Sequence, residues 1–261
     1  MIGLVRAEFL KLTSTRLWLG LLVGAILLTA LSAVFSAALA GVDGGVGGAT
    51  PGLDSTDALL NVYGSSAFSG AYLFAAILGI TAMTGEYRYQ TITPTFLATP
   101  RRWPVVVAKF LANAAMGLLF GLVACVTAVV CGAVVIQIRG YGLGLDVGSV
   151  WSGLGLALLA VALWSMIGVG VGTLIRNQIA AIIGLILIVY LIEQLLVFGL
   201  VAIDLDVVAR LLPSMASTAM VSASTPLITL LDWWQGALVM LGYAGLFTGL
   251  GMLLSVRRDV S

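Results

Sequence analysis

The sequence predicts an all-α polytopic membrane protein, with six transmembrane helices behind a short helix lying in the membrane interface. Three observations carry that expectation. Of the 261 residues, 61% are hydrophobic and only 9% charged, where a soluble domain carries about 25% charged residues; the mean hydropathy is +1.16. A bilayer core about 30 Å thick needs about 20 apolar residues per helix, and the windows near 17–40, 66–84, 110–136, 150–175, 178–200 and 233–256 supply them. The basic residues then fall on one side of that layout. With the N-terminus inside, the inner segments hold Arg6, Lys11, Arg16, Arg88, Arg101, Arg102, Lys109, Arg176, Arg257 and Arg258, and only Arg139 and Arg210 fall outside. Cytoplasmic segments retain Lys and Arg, so a multi-pass protein with both termini in the cytoplasm is expected. Asp43, Asp54, Asp57, Asp146, Asp204, Asp206 and Asp232 all lie on the outer side.

The elements follow in order. Residues 1–16 place Ile2, Val5, Phe9 and Leu12 at helical spacing, with Arg6, Glu8, Lys11 and Arg16 mostly off that stripe; such an amphipathic helix lies in the inner interface. A secretory signal is the competing reading, because Ala38 and Ala40 follow an apolar run. Signal cores span roughly 7–15 residues, and this longer run is expected to remain as the first span of a transmembrane domain over 17–256. Residues 40–54, rich in Gly with Pro51, read as a flexible outer connector. Residues 85–109 form the largest inner connection, and 201–232 read as an outer segment dipping back into the membrane face, since they are too polar for a span and too apolar for a free loop. Residues 257–261 are an inner tail.

Several chemistries are excluded. The net charge is +1 and no basic block occurs, so a nucleic-acid partner is not expected. The chain contains no His, which removes Ser-His and Cys-His pairs and the zinc-binding HExxH arrangement. Cys125 and Cys131 stand about 9 Å apart along one helix and on different faces, too far for a disulfide. No catalytic or metal site is expected. Gly20/Gly24, Gly117/Gly121, Gly168/Gly172 and Gly245/Gly249 repeat at the four-residue spacing that lets membrane helices approach closely. Glu193, with Gln194 beside it, is the one ionisable residue well inside a span. A charge there costs about 3 kcal/mol to insert, so either a hydrogen-bonded structural role or a place on a substrate pathway follows.

The inner connection carries the densest charge. Pro94, Pro100 and Pro104 punctuate it, and Thr93 before Pro94 suits the start of a short helix that would present Phe96 and Leu97. Ringed by Glu86, Arg101 and Arg102, that apolar patch suits a groove on a cytoplasmic partner; contact of the arginines with anionic membrane lipid is the alternative.

The order of Glu86, Arg88 and Thr91, then Phe96-Leu97-Ala98-Thr99-Pro100-Arg101-Arg102, then Lys109, resembles the cytoplasmic loop of type-2 ATP-binding-cassette (ABC) transporter permeases. The N-terminal stretch RAEFLKLTSTRLW resembles the elbow helix of the same family, and the six-span layout agrees over the whole chain. Gln90 departs from the pattern, which has Gly before the Thr. The resemblance implies a permease subunit of a bacterial exporter in the inner membrane, pairing with a second permease subunit and with cytoplasmic ABC ATPase subunits that carry ATP and Mg. It also implies that Glu86, Arg88, Phe96, Leu97, Arg101 and Arg102 dock the ATPase. The chain itself has no GxxxxGK[ST] loop, so no cofactor is expected on it. A secondary transporter or channel, and a noncatalytic membrane assembly subunit, are the alternatives.

Overall fold

In the computed structural model, which describes residues 2–42, 50–89, 102–221 and 228–258, the apolar windows become long helices. Helix α1 covers Ile2–Ser14 and α2 Leu17–Leu39. Helix α3, Thr56–Leu60, runs through a π-helical turn at Asn61–Ser65 into α4, Ser66–Arg88. Helix α5 spans Arg102–Ile138 and α6 Gly148–Leu174. Helix α7, Gln178–Leu187, passes through a second π-helical turn, Ile188–Ile192, into α8, Glu193–Ala202. Two short helices, α9 (Asp206–Ala209) and α10 (Pro213–Val221), precede α11, Trp233–Arg258. Five segments are long and apolar enough to cross a membrane: Leu17–Leu39, Thr56–Arg88, Pro104–Ile138, Gly148–Leu174 and Gln178–Ala202. The chain is thus a polytopic helical membrane protein, and α11 stands where the sequence places a sixth span.

Helices α4 and α5 both extend past their predicted windows toward the charged connection. Pro104 does not stop α5, because it falls in the first turn, where a backbone N–H has no acceptor to lose. The non-helical link between them therefore shrinks from the expected 85–109 to 89–101, and The chain reverses direction from α2 to α4 to α5 to α6, so the ends of α4 and α6 and the starts of α2 and α5 gather at one end of the bundle. We call this the loop end.

The centre of the bundle is the α4–α6 pair. Most of each hydrophobic window in these two helices is buried, 67% and 72%, against 17% for α2 and 28% for α7–α8. Small residues allow the close crossing. A Cβ at Gly79 would land on the Ser165 carbonyl, and one at Gly168 on the Ala76 carbonyl. Of the glycine pairs seen in the sequence, Gly168/Gly172 packs on α4 and Gly117/Gly121 on α6, Gly24 meets the Phe74 ring, and Gly20 and Gly245/Gly249 face open space. Because overpacking costs about 1–3 kcal/mol, Gly168→Ala is expected to lower the thermal midpoint of the purified protein clearly. Gly245→Ala should leave it unchanged; equal effects would refute the α4–α6 contact as the tight one.

At the far end, Arg139 donates from Nη1 to the carbonyls of Ala37 and Ala40, both at 2.8 Å. It satisfies carbonyls that the end of α2 leaves without helical donors, which gives a local reason for a cation on that side. The described part of the 40–54 connector is tied down: Thr50 donates its hydroxyl to the Leu39 carbonyl at 2.7 Å, and Gly41 takes a positive φ of 75° that favours glycine. Residues 43–49 lie outside the described residues. Within 201–232, α10 packs against α6 and α11, and Gly236 permits the approach because a Cβ there would meet the Ala216 carbonyl.

Candidate functional site

Helix α1 turns its charges inward. Ile2 is 88% exposed and Phe9 39%, whereas Glu8 is buried at 7% and Leu12 also at 7%. The apolar stripe therefore faces away from the bundle and the polar face packs on it, the arrangement an interfacial helix needs to cover lipid with one side and protein with the other.

What Glu8 meets is a closed ring of four charges. Lys11 Nζ donates to Glu8 Oε1 at 2.6 Å and to Glu86 Oε1 at 2.8 Å. Lys109 Nζ lies 2.6 Å from Glu8 Oε2 and 2.8 Å from Glu86 Oε1. Two carboxylates and two ammonium groups thus join α1, the end of α4 and the first turns of α5, with no net charge left over. Lys109 is 1% exposed and Glu86 6%. Burial acts against the Lys11 charge, but hydrogen bonds and attraction from Glu8 and Glu86 outweigh it and raise its pKa above the ordinary lysine value. A buried charge stays in place only when paired and hydrogen-bonded, and here every one of the four has two partners of opposite sign.

From the ring a polar line continues into the bundle. Asn113 donates its amide to the Lys109 carbonyl at 2.9 Å, and Ser165 donates to the Asn113 carbonyl at 3.0 Å. Ser165 is the residue whose carbonyl Gly79 must clear, so the ring at the loop end is joined stepwise to the tight α4–α6 crossing. Beside it Arg176, between α6 and α7, lies 5.1 Å over the Tyr87 ring, a cation–π contact at the same end.

The residues expected to dock a partner divide. Glu86 is in the ring and has no free face. Arg88 is exposed at the end of α4, 5.8 Å over the Tyr89 ring. Arg102 begins α5. Phe96, Leu97 and Arg101 lie outside the described residues. Sequence reading noted Glu8, Lys11 and Lys109 without joining them. The available signal was scarcity: the chain has two lysines and three glutamates, and both lysines and two of the glutamates meet here.

Glu193 and Gln194 lie far from this ring. Glu193 is 3% exposed and accepts a hydrogen bond from the Ser214 backbone N–H at 2.9 Å, in the first turn of α10. Gln194 lines a cavity between α4, α6, α10 and the second π-helical turn. Among the described residues no group of His, Cys, Asp and Glu could hold a metal, and Cys125 and Cys131 are free thiols.

No curated protein matches this sequence. Residues 4–194, well over half the chain and including α1, the ion-paired ring and the charged connection, match the family model described as ABC-2 family transporter protein. An all-helical membrane chain with this match belongs to the ABC-2 transporter family, as a membrane permease component of an ABC transporter.

Proposed function

We propose that this chain is one of two permease subunits of a bacterial inner-membrane exporter, driven by ATP hydrolysis on separate cytoplasmic ATPase subunits. The observation that supports it best is the ring of Glu8, Lys11, Glu86 and Lys109, which ties both arms of the 89–101 connection to α1. A connection that only joined two spans would need no such base. A surface that is pushed does, because a force applied to a loose loop is dissipated in the loop. In this reading Arg88, Phe96, Leu97, Arg101 and Arg102 meet the ATPase, and Glu86 fixes the platform beneath them. The loop end faces the cytoplasm, α11 is the sixth span, and the second permease subunit, whether a copy of this chain or a different one, completes the pathway with Glu193 and Gln194 on it. No observation favours a secondary transporter or an assembly subunit. Expression of the tagged chain with the proteins encoded beside it, followed by purification in mild detergent, should recover an ABC ATPase in fixed ratio with ATP hydrolysis in the complex. Recovery of the chain with no ATPase would refute the proposal.

A further inference from the structure

The cavity at Gln194 encloses about 290 Å³, near the lower end of the roughly 300–1,000 Å³ typical of small-molecule sites. Its wall is aromatic. Phe68 and Tyr72 stack with centroids 4.8 Å apart, Tyr72 meets Trp164 at 5.1 Å, and Tyr190, half exposed, stands at the opening. Two features of this wall are left incomplete by the protein. Trp164 is 1% exposed, and among the described residues its indole N–H has no acceptor. An orphaned buried donor is costly, and an acceptor on a ligand would satisfy it. Adjoining the wall is the Glu193 carboxylate, within electrostatic reach of Tyr72 and Tyr243, with no Lys or Arg paired to it among the described residues. The Ser214 N–H occupies one of its oxygens and leaves the other.

The backbone is irregular at the same place. The two π-helical turns, Asn61–Ser65 and Ile188–Ile192, both contribute to the wall, through Ser65 and through Val189 and Tyr190. Such turns are rare and concentrate at functional positions, because each gives up the regular i→i−4 bonding to re-aim side chains. Two helices that spend regularity on one cavity suggest that the cavity has an occupant.

We propose that this cavity binds an organic ammonium ion carrying a hydrogen-bond acceptor, with its cationic head between the aromatic faces and Glu193 and its acceptor oxygen on the Trp164 N–H. Aromatic faces attract cations through the ring quadrupole, most strongly when desolvated, and an intramembrane carboxylate without a basic neighbour supplies the counter-charge. An anionic ligand would meet Glu193 as a like charge. A neutral apolar ligand would leave both Glu193 and its charge unused. The inference rests on reading the chain as a transport pathway and names the chemical class of what it carries.

The test uses the full chain in lipid nanodiscs, with benzoylcholine as probe and its neutral carbon isostere, 3,3-dimethylbutyl benzoate, as comparison. The two share shape and ester oxygen and differ in charge. Saturable binding of benzoylcholine, at least about tenfold tighter than the isostere, is expected for the unaltered chain. Glu193→Gln, whose amide oxygen can still accept from Ser214, should bring the two affinities together, and Trp164→Phe should weaken both ligands alike. Equal binding of cation and isostere by the unaltered chain, or a preference that survives Glu193→Gln, overturns the proposal. The comparison on the unaltered chain depends on no variant folding. Binding of this kind needs no ATPase, so failure here leaves the recovery of an ATPase with the chain standing, and the reverse holds equally.

Discussion

Lys109→Met is expected to cost the folded protein roughly 3–5 kcal/mol, the loss typical of removing one partner from a buried ion pair. The reason is what remains. Lys109 is almost fully buried and contacts both carboxylates of the ring, at 2.6 and 2.8 Å. Without it Glu8 and Glu86 share the single, half-exposed Lys11, and one buried negative charge is unpaired. Lys109→Arg should not rescue the protein, because the planar guanidinium is larger than the slot and cannot replace a compact ammonium. The informative comparison is the double variant Glu8→Leu with Lys109→Met. It deletes one charge of each sign, keeps the Lys11–Glu86 pair, and should recover most of the lost stability, since replacing a whole buried pair by apolar groups is often neutral. Thermal unfolding of the purified chain in one detergent reads all four proteins. If Lys109→Met matches the unaltered chain, the ring does not hold α1, α4 and α5 together. If the double variant is as unstable as the single, the loss is one of packing and not of charge.

The ring also shows where the sequence was readable and where it was not. Membrane spans could be read because each is a local property: twenty apolar residues in a row determine the solvent of a helix whatever the rest of the chain does. The windows at 17–40 and 150–175 accordingly fall within a residue or two of α2 and α6. Helix ends were harder where charge intervened. The polar residues of 85–109 read as connection, yet α4 continues to Arg88 and α5 starts at Arg102, because Glu86 and Lys109 find each other and so can be helical and buried together. Glu8 illustrates the same limit: off the apolar stripe of α1, it reads as solvated. It is buried because its partner Lys109 lies 101 residues away, and no periodicity within α1 carries that information. The π-helical turns beside the cavity were equally invisible, since a one-residue insertion in a uniformly apolar helix leaves no compositional trace. Glu193 stood out in the sequence by its cost, and the structure adds the Ser214 contact and the aromatic neighbours that its cost implies.

Phe96→Ala together with Leu97→Ala is expected to weaken association with the ATPase by a few kcal/mol and to lower transport in proportion, while leaving the chain folded and inserted. Interfaces of this kind draw their energy from a small apolar centre that excludes water, with charged residues at a wet rim contributing orientation and encounter rate. Phe96 and Leu97 are the only large apolar pair between the prolines at 94 and 100, and Arg101 and Arg102 follow at the rim. Arg101→Ala should therefore do little at high salt, where rim charges are screened, and should slow association mainly at low salt. The platform beneath makes a further distinction. The ring joins the arms of the connection below Phe96 and Leu97 and involves neither, so the double alanine variant should keep the thermal midpoint of the isolated chain while losing the ATPase. Lys109→Met should lower that midpoint before any partner is added. Full co-purification and normal transport by the Phe96/Leu97 variant would remove the docking role and leave lipid contact as the better account of the charge. Neutralising Arg101 and Arg102 should then reduce binding of the chain's 85–109 connection to anionic vesicles, and under the docking account it should not.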